Sequence, residues 1–76
     1  MSRPPPPAES ELRNVIRDLR AGRGNMTQQQ LADHVGVSRQ TIVAVEAGRY
    51  APSLVLAFRI ARVFGRSVEQ VFTFDG

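Results

Sequence analysis

Seventy-six residues with ten arginines, no lysine and no cysteine allow one domain with a small core, and they exclude disulfides, thiolate chemistry and a thiolate zinc site. Seven acidic residues leave a formal net charge of +3, but from Leu12 to Arg66 the arginines are opposed only by Asp18, Asp33 and Glu46, a modest basic excess that suits a polyanionic partner. No apolar run reaches signal-peptide or membrane length, because Arg59, Arg62 and Arg66 break up the most hydrophobic region, so no membrane association and a cytoplasmic location are expected.

Residues 1–8, MSRPPPPA, show no apolar periodicity, and their successive prolines favour an extended polyproline II tail over a helix interior. Arg3 there is either part of a solvated leader or a basic arm of the kind that touches phosphate or a minor groove. A first helix is expected from Glu9 or Ser10 to Ala21, with Ser10 as its cap and Glu9 and Glu11 near the positive end of the macrodipole. Leu12, Val15, Ile16 and Leu19 then recur at helical spacing as one inward face, and Arg13 and Arg17 on the adjoining row read as solvated charges. Gly22 to Met26 form the first connection, with Met26 available to anchor the turn in the core.

Thr27 with Gln30 has the spacing of a capping box and starts the second helix. Leu31, Ala32 and Val35 share one of its faces, and Gly36 interrupts the period where a left-handed C-cap is needed. Val37 can dip back into the core, and Ser38 can cap a third helix, Arg39 to Ala47, that turns Ile42 and Val45 inward. Arg39, Gln40, Val43 and Ala44 point elsewhere. An outward row that opens with Arg and Gln can make bidentate hydrogen bonds to guanine and adenine edges in a major groove, the side-chain chemistry of a recognition helix. Val43 is either a groove contact or an exposed helix position.

Gly48 can close the third helix, and Pro52 and Ser53 mark a boundary with Ser53 as the next N-cap. A fourth helix, about Leu54 to Phe64, turns Ala57, Ile60, Ala61 and Phe64 inward with Leu54 close to that face. Leu56, Val63 and parts of Val55 and Phe58 widen the apolar surface beyond one stripe, which on a small domain marks association. Gly65 ends this helix, and Ser67 with Gln70 repeats the capping-box spacing before a short fifth helix containing Val68 and Val71. In the tail at 73–76, Phe74 alternates with Phe72 as in an extended segment and is expected at a dimer boundary. His34 is the only histidine and has no evident partner, so no metal, cofactor or catalytic residue is expected; Ser38, Ser53 and Ser67 are explained as caps.

The ordered series Thr27-Gln28, Leu31-Ala32, GVSRQTI from Gly36, Glu46-x-Gly48, PSL from Pro52 and Ile60-Ala61 resembles the Cro/C1-type (XRE-like) helix-turn-helix DNA-binding proteins over residues 12–72. The resemblance implies an all-α, compact five-helix domain at residues 9–72, and it assigns roles residue by residue. Arg20 pairs with Glu46 and ties the first helix to the end of the third. Arg39 and Gln40 read bases, Thr41 meets a phosphate or a thymine methyl, and Ala44 meets a methyl or allows close approach. Gln28 contacts phosphate and braces the first base-reading side chain, while Ser38, Arg49 and Tyr50, with the backbone N–H groups after the third helix, follow the phosphate backbone. Two departures stand out: Asn25 and Met26 occupy a space where the family has one residue, and Val55 stands where a polar residue is common.

The function so implied is that of a sequence-specific transcriptional regulator, a repressor that occupies an inverted repeat in double-stranded DNA. It would act as a homodimer with Val55, Phe58 and Phe74 at the interface. The alternatives are an antitoxin or restriction-modification controller of the same fold, or an interaction module with degenerate DNA binding and an unidentified protein partner.

Overall fold

The computed structural model describes residues 12–75. The expected polyproline tail and the cap at Ser10 lie outside them. In chain order the elements are β1 (Leu12–Asn14), α1 (Ile16–Ala21), α2 (Gln28–Val35), α3 (Arg39–Glu46), α4 (Leu54–Val63), α5 (Val68–Val71) and β2 (Phe72–Phe74). The five-helix, all-α architecture read from the sequence is therefore present, with a short two-stranded ribbon added where its ends meet.

That ribbon corrects the expected start of the first helix. Residues 12–14 are extended and pair antiparallel with β2 in the register Leu12↔Phe74, Arg13↔Thr73, Asn14↔Phe72. Val15 follows as a non-helical cap, 42% exposed rather than inward, and donates its N–H to the Val71 carbonyl at 3.0 Å. The apolar spacing of Leu12, Val15 and Ile16 is helical, but three residues gain more from backbone pairing with a distant strand than from one extra helical turn whose end needs capping. Asn14 makes the switch between the two. Its Oδ1 accepts the Ile16 N–H at 3.2 Å and its Nδ2 donates to the Val45 carbonyl at 3.0 Å, so one side chain starts α1 and fastens it to the last turn of α3.

Ile16, Leu31, Ile42 and Ile60 are fully buried and form the centre of a core to which Ala32, Val35, Val45, Ala57, Ala61, Val71 and Phe72 also contribute. On α4 the inward stripe is Leu56, Ala57, Ile60 and Ala61, continued by Phe64, whereas Leu54 is 70% exposed. Leu54 was expected near this face and Leu56 outside it; the helix starts at a rotation that exchanges them.

The turns fix the angles between helices. Thr27 and Gln30 cap α2 reciprocally, and Gly36 ends it at φ 76°, where the N–H groups of Gly36 and Val37 both donate to the Ala32 carbonyl. This doubled closure lets Val37 return to the core within one residue, and Ser38 then accepts the Thr41 N–H to begin α3. The longer first connection is absorbed by two consecutive left-handed residues, Gly24 at φ 66° and Asn25 at φ 58°. Asparagine is among the residues that tolerate that region, so the additional residue does not displace the cap at Thr27. Arg23 and Arg59 reach across to the carbonyls of Val63 and Val35, satisfying acceptors at the C-terminal ends of α4 and α2.

Arg20 and Glu46 join α1 to α3. The guanidinium donates from Nε to Oε2 at 2.6 Å and from Nη2 to Oε1 at 3.0 Å, and its Nη1 donates to the Met26 carbonyl at 2.7 Å. Their side chains are only 14% and 10% exposed, so the pair is largely out of water and its geometry has to offset the desolvation.

Two stability outcomes follow from this arrangement. Replacing Arg20 or Glu46 alone by Ala leaves a nearly buried charge unpaired and is expected to cost about 3 kcal/mol in urea unfolding followed by circular dichroism. Arg20→Met combined with Glu46→Leu is expected to recover most of that loss. Gly36→Ala is expected to cost about 1–2 kcal/mol from backbone strain alone, since the new Cβ would meet nothing closer than Arg59 Nη1 at 3.8 Å.

Candidate nucleic-acid interface

α3 divides cleanly by face. Ile42 and Val45 are buried, while Ser38, Arg39, Gln40 and Val43 are exposed and Thr41 and Ala44 are half-buried at the edge. Ile42 and Val45, three apart, share the inward face, Gln40 and Val43 share the outward one, and Arg39 in the first turn stands at the flank between them. The N-terminal turn of α3 thus presents two side chains with paired donor or acceptor groups to solvent.

Arg39 is held only loosely. Its Nη2 lies 3.4 Å from Gln28 Oε1, while Gln28 Nε2 lies 3.4 Å from Glu46 Oε1. Both distances are at the long limit for a hydrogen bond, so these contacts orient the side chains without locking them. The result is a relay from the Arg20–Glu46 pair through the Gln28 amide to Arg39. Gln28 is half-buried and bridges both neighbours, whereas Gln40 has no side-chain hydrogen bond among the described residues. The Gln28 amide orientation that makes this relay pairs its oxygen with the cation and its nitrogen with the carboxylate.

Ser38 and Thr41 are engaged with one another. Ser38 Oγ accepts the Thr41 N–H at 3.2 Å, and the two hydroxyl oxygens lie 3.1 Å apart. Whichever hydroxyl donates, the other keeps a proton that can be offered outward. Beyond α3, the N–H groups of Gly48 and Arg49 donate to Val45 and Ala44 carbonyls at 3.1 and 3.0 Å. Gly48 closes the helix as its position suggested, and the Arg49 N–H, expected along the phosphate backbone, is engaged by the Ala44 carbonyl in the same closure. The exposed Arg49 side chain and the half-exposed Tyr50 ring remain outward.

Arg17, Arg20, Gln28, Arg39, Val43 and Glu46 line an open depression of about 600 Å³ between α1, the start of α2 and α3. Val55 and Phe58 on α4 are 60% and 54% exposed and Phe74 on β2 is 65% exposed, so these three expected interface residues lie at the surface of the chain. Asn14 is the positioning residue that the sequence reading missed. Its only local signal, an Asn shortly before a helical apolar face, reads equally well as a surface residue, because the Val45 carbonyl it holds is 31 residues away.

The helix-turn-helix family profile matches residues 16–71, which spans the whole arrangement from α1 to α5. The chain is 54% identical over 65 residues, 84% of its length and 93% of the relative's, to an uncharacterized HTH-type transcriptional regulator of Methanothermobacter thermautotrophicus. It is 53% identical over 64 residues, 84% of this chain and 89% of the relative, to one of Archaeoglobus fulgidus. A bacterial relative, the uncharacterized HTH-type transcriptional regulator YgzD of Bacillus subtilis, is 44% identical over 61 residues, 80% of this chain and 91% of its own. With its two short helices crossed over the Gly36 turn and these similarities along most of its length, the chain belongs to the helix-turn-helix family of transcriptional regulators.

Proposed function

We propose that this regulator is of the Cro/C1 type and binds double-stranded DNA by inserting the first turns of α3 into a major groove. The observation that carries the reading is the exposed Arg39–Gln40 pair opening a helix whose opposite face, Ile42 and Val45, is buried. Arg39 suits the O6 and N7 acceptors of guanine, and the Gln40 amide suits the N7 acceptor and N6 donor of adenine. At the half-buried edge, Thr41 meets a phosphate or a thymine methyl, and Ala44 meets a methyl or allows close approach. Gln28, Ser38, Arg49 and Tyr50 surround this row and set the docking pose through phosphates.

The protein acts as a homodimer on an inverted repeat, each copy reading one half-site about one helical turn from the other. Supporting the dimer is the exposed apolar set of Leu54, Val55, Phe58 and Phe74 on so small a domain. It represses by occupying the site and excluding other proteins, as a binder with no catalytic step. Its serines support this: Ser38, Ser53 and Ser67 each accept a backbone N–H as a helix cap and are committed to structure.

Selection of bound duplexes from a random pool is expected to enrich an inverted repeat. On the selected site, Arg39→Ala and Gln40→Ala are each expected to reduce discrimination against a scrambled duplex by about 1–3 kcal/mol while leaving the unfolding midpoint unchanged. Unchanged discrimination in the folded double variant would rule out these two residues as base readers. Sedimentation across a broad concentration range is expected to show a dimer, and Val55→Asp with Phe58→Asp is expected to shift it to monomer without unfolding the chain. A wild-type monomer at all concentrations, with and without duplex, would remove the dimer from the scheme.

A further inference from the structure

Arg17 is assigned no role by the motif, and on sequence grounds it is one more solvated charge. Its surroundings say otherwise. It lines, from α1, the depression that Arg20, Gln28, Glu46 and the base-reading Arg39 of α3 also line. Three guanidinium groups and one carboxylate border this space. Arg20 is already consumed, with Nε and Nη2 on Glu46 and Nη1 on the Met26 carbonyl. The remaining excess belongs to Arg39, tethered weakly to a neutral amide, and to Arg17, which is exposed and has no hydrogen bond or ion pair among the described residues.

The local sequence gives Arg17 no balancing acid. Arg13, Asn14, Arg20 and Ala21 are its neighbours three and four positions away. Adjacent Asp18 is turned around the helix and borders a different depression with Arg23 and Arg66. Arg13, the nearest other exposed arginine along the chain, is paired with Asp75 at 2.6 Å. Two guanidinium groups without an acidic partner bordering one concavity give it a positive potential that favours an oxyanion there.

Resting on the DNA-binding reading above, we infer that Arg17 binds a phosphodiester of the duplex whose major groove receives α3. The contact places a backbone clamp on α1, outside the two-helix motif, and Arg17 and Arg39 then divide the labour within one depression. Arg39 reads a base, and Arg17 fixes the strand beside it without regard to sequence.

The test measures dissociation constants of wild type, Arg17→Gln, Arg17→Lys and Arg66→Gln for the selected duplex and a scrambled one, from about 50 to 200 mM salt, with thermal unfolding as the fold control. For Arg17→Gln, affinity for both duplexes is expected to fall by the same factor, and the log–log salt slope to become shallower by about 0.9, the value of one released counterion. The deficit against wild type is therefore expected to be about threefold larger at 50 mM than at 200 mM salt. Arg17→Lys should keep the wild-type slope, and Arg66→Gln should leave it unchanged.

An unchanged slope in folded Arg17→Gln, a loss confined to the selected duplex, or an equal slope change in Arg66→Gln overturns the inference while leaving the DNA-binding reading intact. Absence of duplex binding by wild type at every salt concentration overturns both.

Discussion

The two-pronged contact between Arg20 and Glu46 constrains everything that α3 presents. Apolar burial alone is non-directional, and the core here is built largely from Ala, Val and Ile, side chains that pack acceptably at more than one helix rotation. The ion pair is directional. Its planar fork fixes the distance and rotation of α3 relative to α1, while Arg20 Nη1 on the Met26 carbonyl draws the start of α2 into the same joint. Asn14 adds a second tie, from the beginning of α1 to the Val45 carbonyl one residue before Glu46. Both ties converge on the last turn of α3 and leave Arg39 and Gln40 at its start free of structural duties.

That separation lets stability and recognition reside on different residues of one short helix. Ile42, Val45 and Glu46 hold α3 in place, whereas Arg39 and Gln40 make no contribution to the core. The link between the two groups is the Gln28 amide, which meets Glu46 on one side and Arg39 on the other at distances too long to be rigid. A side chain that must leave its resting contact to meet a base edge is better served by a weak tether than a strong one. The same geometry explains why the concavity beside α3 is basic despite containing Glu46, since both oxygens of that carboxylate are paired with the Arg20 guanidinium.

Much of the fold was legible because its signals are local. Capping residues at Thr27, Ser38, Ser53 and Ser67, the left-handed position at Gly36 and the 3.6-residue period of Leu31, Val35, Ile42, Val45 and Ile60 are decided within a few residues. The same period separates the buried side of α3 from Arg39 and Gln40. What escaped was long-range. The strand at Leu12–Asn14 exists because Phe72–Phe74 arrives beside it from the other end of the chain, and no window around residue 12 contains that partner. The exchange of Leu54 and Leu56 on α4 likewise depends on where the helix begins relative to the core, a rotation that two apolar residues spaced so closely do not determine.

The sequence by itself thus determined which segments are helical, where they cap and which residues of α3 face outward, since each follows from backbone hydrogen bonding and side-chain period within a turn or two. Only the tertiary structure decided which groups meet across the chain. It set the Gln28 relay between Glu46 and Arg39, converted the expected first turn of α1 into a strand and brought Arg17 and Arg39 to the lining of one depression. These are contacts between residues distant in sequence, and their distances are fixed by packing, about which local propensity carries no information.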